Sequence, residues 1–153
     1  MKLAESLILR GDLQKKLASL RERITQYATV QKGDKPHEDP NKLLREAMGV
    51  IDELEDLVFR INRSNLKHKL KDGRTLTEVL ARRDMLVQHH SLLTAAITGS
   101  TKSPERYGLA EIKWVTVMDV AKLQKQADDV ARKIREMNVQ IQEANWRFDV
   151  DEK

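Results

Sequence analysis

The chain has 153 residues, of which 40% are hydrophobic, 34% charged and only 4% aromatic, and its formal net charge is +4. So few aromatics argue against a sheet protein, because strands favour aromatic and β-branched side chains; three prolines and six glycines leave few places for a helix to break. Cysteine is absent, which excludes disulfides, thiolate zinc sites, iron–sulfur ligation and cysteine nucleophiles together.

The first helix is expected from about Lys2 to Val30. Leu13, Leu17, Leu20, Ile24 and Tyr27 repeat at spacings of four and three, a heptad seam. Its start, with Leu3, Leu7, Ile8 and Leu9, is apolar on more than one side, which calls for several packing neighbours. Gly33, Pro36 and Pro40 mark a break, with Asp39 as N-cap and Pro40 at the first helical position of the second helix. There Leu44, Ala47, Ile51, Leu54, Val58 and Ile61 form the expected seam, and Asn65 falls on its next position as a register residue.

Asp72-Gly73 is a turn signal, with a short extended piece expected at Lys67 to Lys71 before it. Thr75 and Glu78 form a capping box for a third helix that reaches about Thr98, with Val79, Arg83, Leu86, His90, Leu93 and Ile97 along its seam. A polar loop is expected from Ser100 to Ala110, then one strand-like segment, Glu111 to Met118. The last helix, about Val120 to Asn145, has the cleanest seam: Val120, Leu123, Ala127, Val130, Ile134, Met137, Ile141 and Ala144. The reading is therefore all-α: one helical domain over residues 1–153, its long coiled-coil-like helices forming antiparallel hairpins or a four-helix bundle.

Charge is unevenly spread. From Glu38 to Asp56 there are seven acids and two bases, a net of −5; from Arg60 to Arg83 there are eight bases and two acids, a net of +6. Acids at a helix start and bases at its end would complement the macrodipole. The sharper reading makes Arg60, Arg63, Lys67, Lys69, Lys71 and Arg74 a basic surface for nucleic acid or another polyanion, without aromatic interleaving for base stacking.

Catalytic patterns are absent. No glutamate has a histidine three residues on, as a di-metal bundle needs, and Glu53-x-x-Asp56 lacks the Glu-x-x-Glu that precedes it in helical pyrophosphatases. His89 and His90 diverge by about 100° on a helix and cannot share a metal from it. There is no phosphate-binding glycine loop or nucleophile elbow. No metal and no cofactor is expected, and an enzyme is disfavoured, since its site would have to assemble from scattered residues of the bundle.

Two polar constellations remain. Asn62, Arg63 and Asn65 could face Arg82, Arg83 and Asp84 across a hairpin about Asp72-Gly73. That is either a structural amide and ion-pair network or a small-ligand site made of Asn62, Asn65, Arg82, Arg83 and Asp84. Gln142, Asn145 and Trp146 form the second, with Trp146 expected as a hydrophobic clasp. No signal peptide or membrane-length apolar run is present, so a cytoplasmic chain is expected.

Several short motifs outside the heptads, Ile61-Asn62-Arg63-Ser64-Asn65, Asp72-Gly73-Arg74-Thr75-Leu76-Thr77, Ala81-Arg82-Arg83-Asp84, Glu111-Ile112-Lys113, Asp119-Val120 and Ile141-Gln142-Glu143-Ala144-Asn145-Trp146, together resemble a family of small bacterial helical proteins carried under the label septicolysin. The resemblance covers nearly the whole chain. Its label implies a pore-forming toxin, and it transfers no catalytic residues. The residues themselves favour a non-enzymatic, self-associating helical module, a homo-oligomer; polyanion binding, a small-ligand or enzymatic site near Asn62 and Arg82, and a cytolysin are the alternatives.

Overall fold

The computed structural model describes residues 1–101 and 113–151. Four α-helices succeed one another: α1 Leu3–Tyr27, α2 Pro40–Lys67, α3 Leu76–Thr101 and α4 Val120–Arg147. The described residues contain no sheet, only isolated antiparallel bridges between Lys2 and Asp149 and between Lys69 and Thr75. The all-α expectation holds. Most of the expected polar loop, and Glu111 and Ile112 of the strand-like segment, lie outside the described residues. The rest of that segment, 113–118, has no regular structure, and Val115 and Val117 stand out from the protein. A β-branched run becomes a strand only beside a neighbour that takes its backbone hydrogen bonds.

Local chemistry sets the helix limits. The Glu5 carboxylate accepts the Lys2 backbone N–H at 2.7 Å and opens α1. The Asp39 side chain accepts from Asn41 N at 2.9 Å, with Pro40 at the first helical position of α2. α1 stops at Tyr27, short of Val30, ahead of Gly33 with φ +96°. Between α2 and α3, Leu70 N donates to Arg74 O and Leu76 N to His68 O around Gly73, whose φ of +85° suits glycine.

The chain divides into two compact units: Met1–Thr77 with Gln142–Lys153, and Glu78–Ile141. In the first, α1 packs on α2. Arg23 pairs with Glu38 near the turn and Lys16 with Glu46 (2.9 Å) further out, so the helices run antiparallel. In the second, Leu86 and Leu93 of α3 pack with Ala127 and Val130 of α4, flanked by Ile97, Leu123, Ile134 and Met137. These are the seams expected for α3 and α4, and Leu13 and Leu20 of α1 are buried as expected too.

α2 corrects the expectation. Leu44 and Ile51, placed on its seam from the sequence, are about half exposed, and the buried positions are Leu43, Ala47, Val50, Leu57, Ile61 and Ser64. The cause is a set of apolar neighbours seven residues apart, Leu43-Leu44, Val50-Ile51 and Leu57-Val58, which support two heptad phases one residue apart. The α1 interface takes the earlier phase. The N-terminal expectation changes as well: Leu3 is fully buried and Leu7 and Leu9 half-buried, so that only Ile8 stays exposed. The chain's own C-terminal segment lies along it, with Leu3 N donating to Phe148 O and Val150 N to Met1 O, both at 2.9 Å.

Leu57→Ala should therefore destabilise the protein by about 2–5 kcal/mol, whereas Val87→Ala, on the exposed side of α3, should cost less than about 0.5 kcal/mol. Urea titration followed by circular dichroism measures both.

Candidate functional site

The buried heptad of α2 runs 43, 47, 50, 54, 57, 61, 64. Adding one to each number gives a second heptad: Leu44, Met48, Ile51, Glu55, Val58, Asn62, Asn65. Successive residues are about 100° apart, so this row lies on the flank of α2 next to the α1 interface. Leu44, Met48 and Ile51 are 50%, 58% and 49% exposed, and beside the row Phe59 and Leu66 are 61% and 63% exposed. A groove of about 800 Å³ opens along it, lined by Gln14 of α1 and by Ile51, Leu54, Val58 and Phe59 of α2 together with the polar Asp52, Glu55, Asp56 and Asn62. The opposite flank of the hairpin carries the Lys16–Glu46 and Arg23–Glu38 ion pairs. One flank of the hairpin is closed by ion pairs and the other presents apolar side chains.

The second feature is a clasp that ties the C-terminal segment to the end of α2. Asp151 N donates to Ser64 Oγ at 3.1 Å, and the Asp151 carboxylate takes Lys67 Nζ at 2.9 Å, with Arg63 Nε at 3.5 Å. Phe148 stacks on His68 with ring centroids 4.3 Å apart. His68 Nε2 lies 2.9 Å from Asp149 O, and since a carbonyl only accepts, that nitrogen carries the proton. Lys2 Nζ adds a bond to Asp149 at 3.0 Å. Trp146, expected as the clasp, is 56% exposed; Phe148 takes that part, and Asn145 is buried nearby in sequence.

The five proposed ligand residues divide between the two units. Asn62 is exposed on the α2 groove and Asn65 half-buried. On α3, Arg83 Nε donates to Asp84 Oδ1 at 2.7 Å and its Nη1 reaches Asn138 at 3.4 Å, while Arg82 and Asp84 are exposed. Arg82 and Asp84 are thus not buried charges in need of partners. Of the proposed basic surface, Arg60 faces Asp56, Arg63 and Lys67 face Asp151, and Arg74 faces Asp72. Among the described residues only Lys69 and Lys71 of that set lack an ion pair. The macrodipole reading covers half the charge pattern: Lys67 sits in the last turn of α2, but its first turn holds no acid. Asp52, Glu53, Glu55 and Asp56 lie mid-helix, where the dipole effect has faded. No group of three or more acidic or histidine side chains among the described residues could hold a metal ion.

Sequence reasoning missed Met48, Phe59, Leu66 and the clasp. The available signal was the seven-residue spacing of Phe59 and Leu66 and the place of Met48 between Leu44 and Ile51. Nothing local announces the clasp, whose partners are more than eighty residues apart.

An all-helical protein of paired helices, one of them apolar on two faces, is the class these features define. The chain belongs to a family of unknown function, DUF6847, which matches residues 10–150. It is similar to a functionally unknown conserved protein from Corynebacterium diphtheriae whose crystal structure is solved: 35% identity, 99% of each chain covered, TM-score 0.92. No curated protein matches it.

The clasp makes a prediction about pH. The Lys67 hydrogen bond, aided by the Arg63 charge, holds the Asp151 carboxyl below its ordinary range. A carboxylate with a lowered folded pKa stabilises the fold above the unfolded value of about 3.9, and that contribution is lost as pH falls through the folded value. Asp151→Asn should lower the melting temperature at pH 7, and the gap to the unaltered protein should close below about pH 4. A gap that persists in acid would assign the effect to something other than this charge.

Proposed function

We propose that this protein is a non-enzymatic helical interaction module of the cytoplasm that acts by self-association. The observation that carries the reading is the second heptad of α2, whose Leu44, Met48 and Ile51 are each about half exposed or more. Scattered exposed apolar residues need no explanation, but Leu44, Met48 and Ile51, exposed on successive turns of one helix face, are the mark of a partner surface.

Polyanion binding through residues 60–74 is the alternative, and the internal ion pairs of Arg60, Arg63, Lys67 and Arg74 leave it mainly Lys69 and Lys71. A ligand site at Asn62, Asn65, Arg82, Arg83 and Asp84 has less support, because Arg82 is exposed and Asp84 is paired to its own neighbour. The septicolysin resemblance is one of sequence. A pore-forming activity has no support from the helices, none of which, among the described residues, is long and apolar enough to cross a membrane.

Light scattering at tens of micromolar should give a mass of at least twice the 17.7 kDa chain. Met48→Glu with Ile51→Glu should weaken association about 100-fold while leaving the helical signal unchanged, as expected when two central apolar contacts are lost. A monomeric unaltered protein at that concentration would refute self-association.

A further inference from the structure

We propose that the groove beside α2 receives a basic amphipathic helix of another protein, laid along α2 between Ile51 and Asn62. Over that stretch the groove runs about 17 Å, three turns of a helix. It begins where the patch of Leu44, Met48 and Ile51 ends and shares only Ile51 with it. The inference therefore stands or falls apart from self-association.

The lining sets the shape of the occupant. Leu54 and Val58 are half-buried and make the floor, while Ile51 and Phe59 are exposed. Gln14 of α1 forms the other wall. Such a channel suits the apolar stripe of a helix, whose backbone hydrogen bonds are already made within itself. An extended peptide would need a sheet edge to join, and the described residues contain no sheet.

Charge sets the sign of the occupant. The groove is lined by the carboxylates of Asp52, Glu55 and Asp56 and by no base, and Gln14 is neutral. Asp56 is engaged by Arg60 at 2.9 Å, but Asp52 and Glu55 have no ion pair among the described residues. These two are three residues apart, so they are neighbours on the helix surface, and both are exposed. The bases further along α2 do not reach them. Arg63, whose guanidinium lies 5.9 Å from the Phe59 ring, pairs with Asp151, and so does Lys67. Lysines or arginines beside the apolar stripe of a partner helix would answer Asp52 and Glu55. The same groove on a second copy would bring carboxylates against carboxylates, and like-charge juxtaposition suppresses that pairing.

The formal net charge of +4 sharpens the test, because the protein as a whole should attract anions. Two labelled peptides of about 14 residues, each about 21 Å long as a helix, carry leucine along one stripe and either lysine or glutamate elsewhere. Fluorescence anisotropy measures their binding to the full chain. The lysine peptide should bind more tightly than the glutamate peptide, and more weakly as salt rises. Asp52→Lys with Glu55→Lys should lower its affinity about tenfold and raise that of the glutamate peptide. Phe59→Ala should weaken both peptides by removing apolar contact. All three positions are exposed, and circular dichroism verifies that the variants keep their helices. Equal binding of the two peptides, or a preference for glutamate, would overturn the proposal. Lysine-peptide binding that ignores Phe59→Ala would also overturn it, since a charged patch rather than a groove would then be at work. Failure of the lysine peptide to bind, with a dimeric mass that the double lysine variant reduces to monomer, would overturn it in favour of a second copy as the occupant.

Discussion

A pair of helices has one interface, and a helix in such a pair can bury one apolar stripe. α2 has residues for two. Its Leu43, Val50 and Leu57 each have an apolar successor, and the turn of the helix separates each pair by about 100°. Whichever stripe enters the α1 interface, the other must face elsewhere. The ion pairs Lys16–Glu46 and Arg23–Glu38 lie on the far flank and help to choose the phase, because rotating α2 by one residue would carry Glu46 away from Lys16. Such partly exposed pairs are individually weak, but two phases of similar apolar content need only a small difference to separate them.

The ends of the chain are organised by a different kind of interaction. Backbone hydrogen bonds join Leu3 and Met1 to Phe148 and Val150, and side chains from the end of α2 take Asp151 and Phe148. This covering removes Leu3 from water, leaving less apolar surface at the N-terminus than a count of Leu3, Leu7, Ile8 and Leu9 implies. The sticky end of α1 is thus satisfied within the chain, and the weight of any association shifts to α2.

The seams of α1 and α4 were legible because their apolar residues stand mostly alone at heptad positions: Leu13, Leu17 and Leu20, for example, are separated only by Gln14, Lys15, Lys16, Ala18 and Ser19, while in α3 Leu86 and Leu93 have the apolar neighbours Met85, Val87 and Leu92, which stay exposed. α2 was ambiguous for the opposite reason, since periodicity reports the spacing of a stripe and not which of two adjacent stripes meets a neighbour. The strand-like reading of Glu111 to Met118 rested on β-branched composition, and composition cannot supply the second strand that a ladder requires. The clasp was illegible in principle from local pattern, because Ser64, His68, Phe148 and Asp151 are brought together only by the path of the whole chain. Arg82 and Asp84 drew attention as charges needing partners, but that argument holds only for buried groups, and both are exposed.

The division of labour along α2 has a physical logic. Apolar contact is non-directional, so an apolar row alone would let a partner helix lie on it in either sense and slide by a heptad. Direction has to come from charge, and register from polar residues within the row. On α2 the bases toward the end lie on the opposite flank, where Arg60 meets Asp56 and Arg63 and Lys67 meet Asp151, and Glu55 and Asn62 interrupt the row where a slide would strand them against apolar side chains. Retaining both polar groups weakens the seam as a hydrophobic surface, which is intelligible if the surface is selected to be specific as well as sticky.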